Sequence, residues 1–103
     1  MANMNDREKG YEAKFAHDEE LRFKATARRN RLLGYWVADQ IGKDGDEKEA
    51  YAKEVVKSDF EEAGDEDVFR KVRADLPHSV TDIDIRSKMN ELLAQAVVEI
   101  EKS

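Results

Sequence analysis

The residues best equipped for chemistry in this chain are five cations, Arg22, Lys24, Arg28, Arg29 and Arg31, in a stretch (21–31) that contains no acid. Guanidinium forks hold phosphate and carboxylate oxygens in pairs, so Arg28, Arg29 and Arg31 offer weak nucleotide or phosphate contact, and an RNA-binding patch is the stronger version of the same idea. The plainer reading is the solvated face of a helix, balanced by Asp18, Glu19 and Glu20 just upstream. Net charge is −6, and an acidic body repels a polyanion over a Debye length of about 8 Å. The expectation is therefore no nucleic acid.

Catalysis is hard to assemble from the remaining inventory. His17 and His78 stand in no ligand or catalytic spacing, and the absence of cysteine removes a thiol nucleophile, a disulfide framework and a cysteine zinc site. Asp65-Glu66-Asp67 reads as helix capping, and Gly42 and Gly45 lack the Lys-Ser/Thr of a phosphate loop. Lys48 breaks an EF-hand reading of Asp44 to Asp59. His17 lies in His-Asp-Glu-Glu, whose carboxylates would raise an imidazole pKa, but an exposed neutral histidine is the preferred reading. No enzyme, metal or cofactor is expected.

These cations sit on a long helical pattern. From Arg7 to Ile41 there is no proline, and Ala, Glu, Lys, Arg and Leu dominate. Thirty-five such residues extend about 52 Å, more than a compact body of this size can cover. An apolar stripe runs through Leu21, Ala25, Leu32, Leu33, Trp36 and Val37, with Trp36 as a core anchor. Upstream stand only Tyr11, Ala13, Phe15 and Ala16 among charges, and Gly10 costs about 1 kcal/mol of helix stability relative to Ala. Residues 1 to about 18 are thus expected to be mobile in isolation. Tyr11 and Phe15, four apart with no core to face, are the candidates for burial against a partner.

Gly42 to Gly45 supplies a helix stop and a turn, and Asp44 or Asp46 caps a second helix over about 46–63 that buries Ala52, Val55, Val56, Phe60 and Ala63. Asp65 opens a third carrying Val68, Phe69, Val72 and Leu76, closed by Pro77. Thr81 or Asp82 opens a fourth with Ile85, Met89, Leu92, Leu93, Ala96 and Ile100 as its seam. No segment alternates as a strand. The predicted fold is all-α, a small four-helix bundle with a mobile N-terminal arm continuing into a long first helix: arm 1–19, body 20–103. Charge divides unevenly: residues 1–41 carry eight Lys/Arg and seven Asp/Glu, the rest ten and seventeen. No apolar run approaches about 18 residues and no signal peptide is visible, so a cytoplasmic protein without direct membrane insertion is expected.

Taken as a string, Asp6-Arg7-Glu8-Lys9, Tyr11 to Leu21, Phe23-Lys24-Ala25, Ala27 to Asn30 and Leu32-Leu33-Gly34 resemble the zeta subunit of the alphaproteobacterial F-type ATP synthase. The resemblance continues through Ala50 to Lys57, Asp59 to Val68 and Arg70 to Arg73, and is weakest from Leu76 to Val80. It implies a regulatory inhibitor of ATP hydrolysis, peripheral to the inner-membrane enzyme, whose partners are the α, β and γ subunits of the catalytic head. In that family a helical body carries a mobile arm that enters a catalytic α/β interface near the γ stalk, becomes helical and blocks hydrolytic rotation. The role is like that of the mitochondrial inhibitor protein and replaces the inhibitory role of bacterial epsilon.

By position the inhibitory stretch is about Ala2 to Glu19. Ordering some fifteen residues costs about 1–2 kcal/mol each, so the arm needs buried aromatics and paired charges. Tyr11 and Phe15 are assigned the apolar anchor, and Arg7, Glu8, Lys9 and Lys14 the pairing with charged subunit walls. Gly10, where a helix former is expected, makes that ordering costlier. The alternatives are a nucleotide-sensing bundle without a strongly inhibitory arm and, third, a nucleic-acid module on the same cations.

Overall fold

A computed structural model describes residues 19–59 and 65–102. Four helices run α1 Glu19–Gln40, α2 Gly45–Ser58, α3 Glu66–Asp75 and α4 Asp82–Lys102. The described residues contain no strand. The predicted all-α four-helix architecture is what the chain adopts, with α1 as the helix shared by all the others. It packs antiparallel to α2 on one side and to α4 on the other, while α3 touches all three.

Each boundary has a local cause. At the end of α1, Gly42 takes a φ of 79° and the Lys43 N–H donates to the Ala38 carbonyl at 2.8 Å, the closing bond of a Schellman stop. Asp44 is the N-cap of α2, though its side chain makes no capping hydrogen bond. The last turn of α2 is closed by Ser58 Oγ donating to the Val55 carbonyl at 2.7 Å. The expected continuation to residue 63, with Phe60 and Ala63, lies outside the described residues. Before Pro77, Leu76 is extended at ψ 150°, the geometry a following proline imposes.

Helix α4 starts with a reciprocal cap. Thr81 N–H donates to Asp84 Oδ2 at 3.0 Å and Asp84 N–H donates to Thr81 Oγ1 at 3.1 Å, a capping box built with Asp in the third position.

The core is the union of the predicted seams. Leu33, Val37 and Ala38 of α1 meet Tyr51 and Val55 of α2, Val68 and Val72 of α3 with Leu76 just beyond, and Ile85, Met89 and Leu92 of α4. Trp36 packs on this cluster partly buried, with Lys88 Nζ 5.6 Å from its ring centroid, so it is a flank of the core and not its anchor. Arg86 covers Phe69 similarly, 3.8 Å from ring centroid to guanidinium. Such cations shield aromatic edges while keeping their charge wet.

Candidate functional site

The arm residues assigned to partner binding, Arg7, Glu8, Lys9, Tyr11, Lys14 and Phe15, lie outside the described residues, as does His17. What the structure shows is the helix that follows them. Along the start of α1, Glu20, Arg22, Phe23 and Lys24 are exposed and Leu21 is partly buried; Ala25 is the first buried position.

The cations next to this entry separate into two environments. Lys24, Arg28 and Arg31 line one groove of about 620 Å³ together with Phe23, Ala27, Leu32, Tyr35, Val56 and Ile100. Each cation also has an acid of the same molecule within reach. Lys24 meets Glu20 at 3.2 Å, and Arg28 Nε donates to Glu99 of α4 at 2.6 Å. Arg31 Nη2 donates to Glu49 of α2 at 2.8 Å, while Tyr35 Oη accepts from Arg31 and donates to the other Glu49 oxygen at 2.7 Å. Hydrogen bonds from Gln95 and Arg28 hold the Glu99 carboxyl below the usual carboxylate range. An incoming phosphate must compete with these carboxylates for its forks.

Arg29 is elsewhere. Its side chain is only 2% exposed and reaches Asp65 at 2.7 Å, and its Nε donates to Asn30 Oδ1 at 2.7 Å. Asn30 is itself fully buried. The solvated-face reading therefore holds for Arg28 and Arg31 and fails for Arg29, whose guanidinium is spent inside the protein. A helix period that places Arg29 four before Leu33 and four after Ala25 was the signal; a charged residue at a core position is easily mistaken for surface.

A second polar network escaped the sequence reading. Tyr51, buried on α2, donates to Asp75 of α3 at 2.8 Å. Lys71 pairs with Asp75 and with Glu54, each at 2.9 Å, and lies 5.0 Å from the Tyr51 ring centroid. Burial, then the Asp75 hydrogen bond, pushes the Tyr51 phenol far above its usual range. Burial works against ionised Asp75, but hydrogen bonds from Lys71 and Tyr51 and the Lys71 and Lys43 charges outweigh it, and its carboxyl stays below the usual range.

Among the described residues no group of His, Cys, Asp and Glu is placed to hold a metal ion, and no helix is long and apolar enough to cross a membrane. Four helices sharing one apolar core, their polar side chains tied mostly to each other, define a small all-α bundle. The family model described as ATPase inhibitor subunit zeta matches residues 1–99, so the chain belongs to that family, whose role is inhibition of an ATPase. A structure described as the solution NMR structure of a protein is 52% identical, with a TM-score of 0.74 over 80% of this chain and 96% of that one. No curated protein matches the chain.

Proposed function

We propose that this chain inhibits ATP hydrolysis by the F-type ATP synthase through its N-terminal arm, with residues 20–103 as the body that presents it. The arm, about Ala2 to Glu19, enters a catalytic α/β interface near the γ stalk and blocks hydrolytic rotation. Tyr11 and Phe15 are its apolar anchors, and Arg7, Glu8, Lys9 and Lys14 pair with the charged walls of the α, β and γ subunits.

The observation that carries this reading is that the inhibitor family's match begins at residue 1 and runs through the body. The packing of α1 supports it: the helix is buried only from Ala25 onward, so the preceding sequence joins the bundle at its edge. A regulator acting in this way is a peripheral subunit on the cytoplasmic side of the membrane and needs no chemistry of its own.

The test is ATP hydrolysis by the cognate catalytic head, depleted of this subunit, with the full chain or a version starting at Glu20 added back. Inhibition by the full chain that disappears in the shorter version supports the proposal. Equal inhibition by both removes the arm from the mechanism.

A nucleotide-sensing bundle is the second reading, favoured by Lys24, Arg28 and Arg31 sharing one groove. Amide shifts confined to that groove on nucleotide addition would support it. Arg29 is excluded from direct contact there for as long as it stays buried against Asp65.

A further inference from the structure

Where α2 leads toward α3, the fold concentrates more negative charge than it neutralises. The Asp59 carboxyl, at the end of α2, faces Arg29 and Asn30 of α1 and Asp65 and Asp67 at the start of α3. The buried guanidinium of Arg29 is committed to Asp65 at 2.7 Å. Arg70 pairs with Asp67 from a largely exposed position. From α4 the charged group on the same flank of α3 is Arg86, and it is held by Glu66 at 3.1 Å.

Two buried polar atoms in this cluster, Asn30 Nδ2 and Asp67 Oδ2, make no hydrogen bond. The Asn30 amide lies toward Asp59 and favours its ionised form, yet it falls short of hydrogen-bond geometry. Buried, half-satisfied polar clusters are sensitive to a single proton, because a low local dielectric magnifies each unpaired charge.

We propose that Arg29, Asn30, Asp59, Asp65 and Asp67 form a proton-responsive joint, in which protonation of Asp59 tightens the seam between α1, the end of α2 and the start of α3. Burial favours the neutral acid, and the Asp65 and Asp67 charges add to it, against the opposing pull of Asn30 and Arg29. The net effect holds the Asp59 carboxyl above its ordinary value. The folded state therefore binds more protons than the unfolded chain in the window between the ordinary and the raised value. Local stability is full below that window and declines as pH rises through it.

The device is independent of what the arm does, and its test needs only the full chain. Carbon-detected NMR titration of the Asp59 carboxyl is expected to show a midpoint above that of the exposed Asp44. Hydrogen exchange of the Asp59 and Phe69 amides, which donate to Val56 and Asp65, reads the joint itself. After correction for intrinsic exchange, their protection is expected to rise several-fold between about pH 7 and about pH 5. Asp59→Asn is expected to hold the higher protection at both values, while Asp44→Asn retains the wild-type pH response. An ordinary Asp59 midpoint, or an Asp59→Asn protein with the same pH response as wild type, overturns the proposal.

Discussion

Gly34 of α1 lies directly against Ala52 of α2: a β-carbon placed on Gly34 would stand 2.5 Å from the Ala52 α-carbon and 3.0 Å from its β-carbon. Those distances leave no room for a methyl group unless the two helices separate. In an open helix Gly→Ala gains about 1 kcal/mol, so the sign of the effect is diagnostic. Gly34→Ala is expected to destabilise the bundle by about 1–3 kcal/mol, read as a fall in the urea midpoint. A gain in stability would show that the helix pair has slack.

The Tyr51 and Asp75 pair bridges α2 and α3 by one hydrogen bond. Tyr51→Phe keeps the ring and the Lys71 contact and removes only the hydroxyl, so a loss of about 1 kcal/mol is expected in denaturant unfolding.

The carboxyl of the same pair governs acid behaviour in the opposite sense to Asp59. Because Asp75 is held below its ordinary value, its contribution is present above the unfolded value, about 3.9, and is lost as pH falls through the lowered folded value. Asp75→Asn should thus cost stability at neutral pH, with the difference from wild type shrinking in strong acid. Thermal unfolding at several pH values measures it.

At the start of α4, Thr81→Ala removes the hydroxyl that accepts the Asp84 N–H. A loss of about 1 kcal/mol is expected, with fraying of amides in the first turn of α4 and little change near Ala96.

For the arm, Tyr11→Ala together with Phe15→Ala is expected to abolish inhibition of the catalytic head while leaving the melting temperature of the isolated chain unchanged. Unchanged inhibition would falsify their role as anchors.

The apolar seams were legible because they repeat at helical spacing among charges. Val68, Val72 and Leu76, and Ile85, Met89, Leu92 and Ala96, are buried where the periodicity put them. Proline and glycine marked the breaks, and Thr81 with Asp84 marked a cap. What the pattern could not reveal was burial decided by a partner far along the chain. Arg29 is buried because Asp65 and Asn30 receive it, and Tyr51 because Asp75 takes its hydroxyl. Trp36 shows the reverse error: size suggested an anchor, whereas Lys88 covers a ring left at the core's edge. Gly34 read as a weak spot in a helix, and only the position of Ala52 explains it.

The central place of α1 has a mechanical side. Because α1 is gripped by α2, α3 and α4 at once, a pull applied at Glu19 along its axis loads three contacts in shear simultaneously. Shear across interlocked side chains resists far better than peeling one turn at a time. Arg28 with Glu99 and Arg31 with Glu49 act as cross-ties that spread such a load to both flanking helices. Whatever tension reaches the bundle through its leading end is borne by the whole body, as by a wedge with a braced handle.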